Sequence, residues 1–250
     1  MSSVQQTLSR LRELRLASMA EAYQQQLQQP KLHELGFDDR LGLLVEYEVS
    51  ERESRKLRRL IRSAGLPDHT TLEDIDYRAT RGIEKSQIAR LANCEWIRQK
   101  LNLIILGATG VGKTCLASAF GSQACRLGFP VSFYRASDLY ELISSALLDG
   151  SLPRLRVSMM KPSLLIIDDF GLNQASLPVA QILLDIVDSR MRTGSLLITS
   201  QFPTDQWHIL LPDPTLADAI LDRIVHQSHR LTLKGESMRK MRAQARIRDD

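Results

Sequence analysis

The chain has 250 residues and a net charge of +4; 25% of its residues are charged and 43% are hydrophobic, the ordinary balance of a globular protein with a sizeable core. No window holds the ~18 uninterrupted apolar residues that a membrane span needs, and the N-terminus, "MSSVQQTLSRLRELR", lacks the apolar core of a signal peptide. Three cysteines without paired spacing predict free thiols in a reducing compartment, so we expect a cytoplasmic protein that does not contact a membrane.

Residues 1–69 are predicted to form a helical N-terminal domain that binds DNA or a protein partner. Apolar residues recur at helical spacing before and after Pro30, which separates two helices. The second helix carries "ERESRKLRRLIR", in which six basic residues stand against two acidic ones. Such a run attracts polyanions by neutralising phosphates, whereas a solvated helix face with Glu–Arg pairs is the alternative reading.

Two segments are predicted to contact DNA. The residues concerned are Arg52, Arg55, Lys56, Arg58 and Arg59 in the basic run, and Arg154, Arg156 and Lys161 in "SLPRLRVSMMK".

Residues 70–100 are predicted to be a linker with some helix that leads into the next domain. Residues 101–250 are predicted to form that domain, because their hydrophobic pattern differs from that of the first 100 residues. Buried strands are predicted in "LNLIILG", "VSFYRA", "LLIID" and "SLLITSQ", with amphipathic helices between them. Strands that are apolar on both faces and alternate with helices indicate a parallel sheet covered on both sides. A helix, "TLADAILDRIVHQ", a short strand, "HRLTLKG", and a basic helix complete this domain.

The segment "GATGVGKT" matches the phosphate-binding loop pattern at every position. Its glycines let successive backbone N–H groups point into one concavity, and the following helix adds its dipole. Lys113 reaches the β- and γ-phosphates, and the Thr114 hydroxyl is a Mg²⁺ ligand. The predicted nucleotide-binding residues are Gly107, Ala108, Thr109, Gly110, Val111, Gly112, Lys113 and Thr114.

Two adjacent acids end the predicted strand "LLIID". Enzymes with a phosphate-binding loop hold Mg²⁺ partly through an acid at the end of a neighbouring strand, so Asp168 is predicted to be the metal acid. Asp169 is predicted to polarise the attacking water, and the alternative is that it caps the next element. The letters "DFG" do not indicate a protein kinase, because the chain has no "HRD" loop and a different glycine loop.

The strand "LLITSQF" should end beside Asp168, at the edge where parallel sheets bind ligands. Gln201 is therefore predicted to contact the γ-phosphate or the attacking water, with Ser200 as the alternative side chain and a plain turn before Pro203 as the alternative structure.

Transferring phosphoryl groups are stabilised by a guanidinium, often from a neighbouring subunit. Arg223 and Arg239 are the predicted arginines. The alternative for either arginine is a surface ion pair, for example between Arg223 and Asp222 or Asp218.

These motifs, in this order, resemble the AAA+ ATPases, in particular the branch of the helicase loader DnaC and, within it, the IstB family of helper ATPases that bacterial insertion sequences encode beside their transposase. The segments "LRLASMAEAY" and "FDDRLGLLVEYEVSERESRKLRRLIRSAGLP" resemble the N-terminal region of that family, and "NLIILGATGVGKT", "LLIIDDFG", "LITSQFPTDQW" and "LADAILDRIVHQSHRLTLKGES" follow its ATPase core.

The resemblance implies ATP and Mg²⁺ as cofactors and an α/β fold: a P-loop NTPase of the AAA+ type, with a parallel sheet flanked by helices and preceded by a small all-helical domain. It implies that Asp168 and Asp169 are the Walker B pair, Gln201 sensor 1, Arg223 the arginine finger and Arg239 the second sensor. Asp169 stands where Glu is usual and Gln201 where Asn is common, which fits slow, switch-like hydrolysis.

The function implied is that of an ATP-dependent transposition helper that oligomerises on double-stranded target DNA and recruits or activates a transposase. Its ATPase would be slow and would depend on DNA and on the homo-oligomer. A DnaC-like replicative helicase loader on single-stranded DNA is the alternative, against which the 5% aromatic content argues. A small-molecule kinase or a nucleotide-gated adaptor would use the same phosphate loop.

Overall fold

The computed structural model describes residues 2–75, 77 and 82–238, and the chain divides into two compact units, residues 1–59 and residues 60–250. The described part of the first unit is helical. Its elements are α1 (Ser3–Glu13), α2 (Ala17–Gln28), a 3₁₀ turn (Pro30–Glu34) and most of α3 (Phe37–Ala64), whose last residues belong to the second unit.

A buried carboxylate, Glu48, joins α2 to α3 within the first unit. The Met19 amide donates to Glu48 Oε2 at 2.8 Å, and Arg52 Nε donates to Oε1 at 2.7 Å. Burial alone would raise the pKa of Glu48, but the bonds from Met19 and Arg52 and the charges of Arg52 and Arg55 outweigh it and hold the pKa below its usual range. Glu48 is therefore ionised at neutral pH and holds two arginines of the basic run.

The second unit alternates strands with helices, as predicted. Its further elements are a 3₁₀ turn (Leu72–Asp74), α4 (Lys85–Ala92), α5 (Glu95–Arg98), β1 (Asn102–Gly107), α6 (Lys113–Arg126), β2 (Val131–Arg135), α7 (Ala136–Asp149), α8 (Leu152–Met160), β3 (Leu164–Phe170), α9 (Leu177–Thr193), β4 (Ser195–Ser200), a 3₁₀ turn (Thr204–Leu210), α10 (Pro214–Val225) and β5 (Ser228–Leu233).

Within the described residues the strands form one parallel sheet in the order β2-β3-β4-β1-β5. Strands β1, β3 and β4 are buried along most of their length, which explains why their sequences are nearly continuous apolar runs. Because every strand runs the same way, the carboxyl ends of β1, β3 and β4 meet at one edge of the sheet.

Helix α6 approaches the sheet closely at Gly121. A Cβ there would lie 2.8 Å from Leu66 Cδ2 and 2.9 Å from Ile166 Cδ1, distances that atoms of a side chain do not tolerate. Another part of the core is formed by Phe170 and Trp207, whose ring centroids are 4.8 Å apart. These contacts fix α6 and the end of β3, the two elements that carry the predicted phosphate loop and acids.

The three cysteines are free thiols, as predicted. Burial raises the pKa of Cys94 to about 12 and that of Cys125 to about 11, so both remain thiols at neutral pH. Among the described residues, none of the helices combines the length and the apolarity needed to cross a membrane.

A buried arginine closes the amino end of the sheet. Arg190 of α9 donates to the carbonyl oxygens of Met159 at 2.6 Å, Pro162 at 3.1 Å and Ser195 at 2.8 Å. Burial lowers the pKa of its guanidinium to about 10, so the group keeps its charge at neutral pH. Sequence periodicity did not single out this residue, because an arginine on an amphipathic helix ordinarily lies at the surface.

Replacing Arg190 with Met should destabilise the second unit by about 3 kcal/mol, because several buried carbonyl groups lose their donor. For a unit of this size that corresponds to a fall in melting temperature of roughly 6–12 °C. Thermal denaturation followed by circular dichroism measures it, with Arg192→Met, an exposed arginine of the same helix, as the control. Equal melting temperatures for the two variants would contradict the assignment.

Candidate active site

The loop between β1 and α6 has the backbone that the glycine pattern predicts. Gly107, Gly110 and Gly112 have φ angles of 154°, 81° and 101°, a region that L side chains rarely adopt. At Gly107 a Cβ would also lie 2.7 Å from the Leu233 carbonyl oxygen. Because Gly112 precedes α6 and has no side chain to cap it, the first N–H groups of the helix are left for a ligand.

Lys113 and Thr114 begin α6 and face the predicted acids. Lys113 is buried, and its Nζ donates to the Ala108 carbonyl oxygen at 3.0 Å. Burial lowers the pKa of Lys113, while the charges of Asp169 and Asp168 act in the opposite direction. Within the part of the chain that the structure describes, the lysine is bonded to a carbonyl group rather than to a carboxylate.

Asp168 lies at the end of β3 with 1% of its surface exposed and accepts two hydroxyl bonds. Thr114 Oγ1 donates to Asp168 Oδ2 at 2.8 Å, and Thr199 Oγ1 donates to Oδ1 at 2.5 Å. Burial raises the pKa of Asp168, and these two hydrogen bonds oppose the increase. The geometry joins the phosphate loop to the acid that the sequence predicts to hold Mg²⁺.

Asp169 occupies a bulge in the sheet. The pairing of β3 with β4 shifts between Ile167 and Phe170, so that Asp168 and Asp169 together face one residue of β4. Asp169 has a φ of 58°, and its N–H donates to Thr199 Oγ1 at 2.9 Å. In a regular strand the adjacent residues Asp168 and Asp169 would point to opposite faces of the sheet. Here Asp169 lines the cleft that is also lined by Thr114, the hydrogen-bond partner of Asp168.

Gln201 follows β4 and lines this cleft, where its side chain contacts the Thr109 hydroxyl of the phosphate loop. Ser200, the alternative, is buried; it donates to the Phe170 carbonyl oxygen at 2.8 Å and accepts from the Phe202 N–H at 3.1 Å. The placement favours Gln201 as the polar residue available to a ligand.

The cleft has a volume of about 800 Å³. Part of its wall comes from residues that the sequence analysis did not select: Pro67, Asp68, His69, Thr70, Asp74, Ile75, Ile83, Arg135, Leu172, Leu233 and Met238. Most of them belong to segments without a motif. Arg135 is an exception, because the predicted strand "VSFYRA" places it at the ligand-binding edge of the sheet. In the structure it ends β2 and pairs in register with Asp168.

The two predicted arginines are not among the described residues that line the cleft. Arg223 on α10 is not among the residues that line the cleft; its Nε donates to Asp188 Oδ1 at 2.6 Å. The ion pair is therefore with α9 and not with Asp218 or Asp222, the partners considered from the sequence. Arg239 lies outside the described residues.

In the first unit, part of the predicted basic run lines a groove. The lining residues are Arg52, Arg55, Lys56 and Arg59 of that run, together with Arg15 from outside it. Arg15, which the sequence analysis did not include, comes from the turn between α1 and α2, and its carbonyl oxygen accepts from Arg52 at 3.0 Å. Arg58 is not among the lining residues and lies 3.7 Å from Glu51.

Of the second predicted DNA segment, Arg154 and Arg156 are exposed on α8, and Lys161 follows its last residue. Arg156 pairs with Asp185 at 2.5 Å. The two basic segments thus belong to different units, and neither lines the nucleotide cleft.

The donor set at the cleft fits ATP with Mg²⁺. A threonine hydroxyl and a carboxylate, 2.8 Å apart, are the hard oxygen ligands that Mg²⁺ takes when phosphates and water complete its shell. Among the described residues there is no cluster of three or more His, Cys, Asp or Glu side chains that would form a complete protein cage for a metal.

Comparison with known proteins agrees with this reading. The sequence matches the family profile described as IstB-like ATP binding protein over residues 9–245. A Sinorhizobium fredii (strain NBRC 101917 / NGR234) protein named as an insertion-sequence ATP-binding protein is 39% identical over 234 residues, 94% of this chain and 96% of that protein. A Pseudomonas fluorescens protein with a similar name is 42% identical over 201 residues, 80% of this chain and 87% of that protein.

Among solved structures, the crystal structure of DnaI matches with a TM-score of 0.56 at 20% identity, over 71% of this chain and 94% of that chain. At that identity the likeness concerns the fold. The predicted fold class, a P-loop fold of the AAA+ type with a helical N-terminal region, is confirmed.

Asp168→Asn should raise the melting temperature of the nucleotide-free protein, and the increase should grow as the pH rises from the usual pKa of an aspartate, ~3.9, toward and beyond neutral, because folding raises the pKa of Asp168. A carboxyl group whose pKa is raised by folding stabilises the folded state fully only below its own pKa in the unfolded chain, ~3.9. This stabilisation is lost as the pH rises through the pKa of the group in the folded protein. Asparagine has no such proton to lose.

Melting curves in EDTA across this pH range measure the effect. Asp149→Asn is the control, because the Ser151 hydrogen bonds lower the pKa of that exposed carboxyl, so its replacement should not stabilise the protein at pH 8. An Asp168→Asn protein that melts below wild type at pH 8 would contradict the prediction.

Proposed function

The chain belongs to the family of IstB-like ATP-binding proteins, and on that premise we propose that it is an ATP-dependent, DNA-binding transposition helper. It forms a homo-oligomer on double-stranded target DNA, recruits or activates the transposase of its insertion sequence, and uses ATP hydrolysis as a switch. The observation that carries the proposal is the bond between Thr114 and Asp168, which joins the phosphate loop to an acid in a chain whose relatives are named for ATP binding and insertion sequences.

The proposed ATP site assigns a task to each residue at the cleft. Thr114 and Asp168 would hold Mg²⁺, which neutralises charge on the phosphate oxygens when it is bound with ATP. Among the described residues, the Lys113 ammonium donates to the Ala108 carbonyl group and is in no ion pair, so an anion can take over its hydrogen bonds. The N–H groups at the start of α6 provide further donors for an anion.

Asp169 is proposed to accept the proton of the attacking water. Its carboxylate lines the cleft, while its backbone is held in the bulge by Thr199. Gln201 lines the same space and orients the water or a phosphate oxygen. An aspartate reaches one methylene less far than the usual glutamate, which supports slow hydrolysis and a long-lived ATP-bound state.

Arg223 is proposed to act on the nucleotide of a neighbouring subunit. It does not line the cleft of its own chain, and its side chain is 31% exposed, so another subunit can approach it. Its ion pair with Asp188 would have to yield to the phosphate. Arg239 is proposed as the second sensor from its position in the sequence.

DNA binding is proposed to rest on phosphate contacts. Lys56 and Arg59 are exposed in the basic groove of the first unit, and Arg154 and Arg156 are exposed on α8. Cations that neutralise phosphates give affinity without reading bases, so binding should be steeply salt-dependent and nearly indifferent to sequence.

The proposed function is tested by capture on immobilised duplex DNA with purified transposase and, separately, a replicative helicase. The expected result is retention of the transposase with a non-hydrolysable ATP analogue and its loss with ADP. Retention of the helicase instead, with a preference for single-stranded DNA, would identify a helicase loader. Turnover of a small-molecule phosphate acceptor by a monomer would indicate a kinase.

Replacing Lys56 and Arg59 together with Gln should weaken binding to a short duplex. The slope of log affinity against log salt should fall in magnitude by about 1.8, because each lost phosphate contact removes about 0.9. Fluorescence anisotropy at several salt concentrations measures the slope. The control is Arg10→Gln with Arg12→Gln, which removes two exposed charges of α1 outside the groove; equal slopes for the two double variants would contradict the assignment.

Mixing Arg223→Ala with Asp169→Asn protein should restore ATPase activity that neither variant has alone. In a mixed oligomer, Asp169→Asn subunits supply the arginine to neighbours whose own acids are intact, and random one-to-one mixing should give roughly a quarter of the wild-type rate. Steady-state phosphate release measures it, with Arg192→Ala as an exposed-arginine control. Full activity of Arg223→Ala alone would contradict a catalytic role, and no recovery on mixing would contradict action in trans.

A further inference from the structure

We propose that Thr199 is a positioning residue whose single hydroxyl sets both acids of the site. Thr199 lies in β4, next to β3 in the sheet, and no part of it is exposed to solvent. Its Oγ1 is 2.5 Å from Asp168 Oδ1 and 2.9 Å from the Asp169 backbone nitrogen. One atom therefore contacts the side chain of one acid and the main chain of the other.

The direction of both hydrogen bonds follows from the groups involved. An ionised carboxylate only accepts and a backbone N–H only donates, so the hydroxyl proton lies toward Asp168 and a lone pair of the oxygen lies toward Asp169. A threonine hydroxyl has one proton to give. The two bonds consequently use the hydroxyl in complementary ways and do not compete.

At Asp169 the Thr199 hydroxyl takes the place of the hydrogen-bond partner that the bulge removes from the ladder between β3 and β4. Two residues of β3 face Thr199, so the regular ladder is interrupted at this point. The Asp169 N–H finds its partner in the threonine side chain, and this bond supports a left-handed backbone that a residue with a Cβ adopts at some cost. The direction in which the Asp169 carboxylate leaves the chain depends on that backbone.

At Asp168 the same hydroxyl fixes the carboxylate that Thr114 contacts from the other side. Oδ1 is held by Thr199 and Oδ2 by Thr114, so the plane of the carboxylate is fixed between β4 and the first turn of α6. Partners of this kind, behind a metal-binding carboxylate, typically change metal affinity or activity 10–100-fold when removed. Thr199 therefore couples the predicted metal acid to the predicted water-activating acid.

The inference deepens the proposed function and rests on it for the ATPase measurement, so the experiment also includes measurements that need no hydrolysis. Thr199→Val removes the hydroxyl and keeps the shape, and Thr199→Ser keeps the hydroxyl and removes a methyl group. Ser195→Ala, at the opposite end of β4, is the structural control because it also removes a buried hydroxyl.

Hydrogen exchange of the nucleotide-free protein gives the first test. In Thr199→Val the Asp169 amide should exchange at least about tenfold faster, while the amides of Leu165 to Ile167 keep their protection. Thr199→Ser and Ser195→Ala should exchange at Asp169 like wild type. Unchanged exchange at Asp169 in Thr199→Val, or faster exchange along the whole strand, would overturn the proposal.

Titration with a fluorescent ATP analogue gives the second test. Thr199→Val should bind the analogue in EDTA within about twofold of wild type but need about tenfold more Mg²⁺ for its metal-dependent signal, with kcat reduced by about tenfold or more and KM little changed. Thr199→Ser should stay within about threefold of wild type. A Thr199→Ser protein as impaired as Thr199→Val would show that the methyl group matters, and would overturn the proposal.

If Thr199→Val does not fold, Thr199→Cys takes its place, because a thiol fills similar space but is a weak donor, and wild-type Mg²⁺ dependence of that variant would overturn the proposal. If wild type hydrolyses no ATP, the proposed function fails, while exchange at Asp169 and the Mg²⁺ titration still decide the role of Thr199.

Discussion

A carboxylate buried at the end of a strand is the constraint on which the candidate site depends. Asp168 has almost no contact with solvent, and an ionised carboxylate in such surroundings needs donors to replace water. Its donors come from the start of α6 and from β4, through Thr114 and Thr199. The phosphate loop, β3 and β4 must therefore keep their relative positions, and the packing of Gly121 against Ile166 holds α6 close enough to do so.

The parallel sheet makes this arrangement possible because it gathers strand ends that are far apart in sequence. Gly107, Asp168 and Gln201 lie at or just beyond the ends of β1, β3 and β4, which are neighbours in the sheet. At the opposite end Arg190 binds the carbonyl groups of converging chain segments. One end of the sheet is thus closed by a permanent internal cation, while the other is left with polar groups for a ligand.

Much of this site follows from sequence because its parts obey local rules. The glycines of the loop, Lys113, Thr114 and the apolar run before Asp168 have fixed spacing and a direct physical meaning. The bulge at Asp169 depends on how β3 pairs with a strand some thirty residues later, and no local pattern encodes that register. For the same reason the sequence indicates no special role for Thr199. It also predicts an ion-pair partner for Arg223 on the same helix, whereas the partner, Asp188, lies on α9.

The ion pairs around Glu48 have a consequence for the energetics of the basic groove. Arg52 and Arg55 are long side chains that would otherwise sample many rotamers, and Glu48, Ser18 and the Arg15 carbonyl group already hold them. The rotamer entropy of such side chains, up to about 2 kcal/mol each, is lost when the unit folds and not when a polyanion arrives. Two walls of the groove are preorganised in this way, at the price of one compensating negative charge beneath them.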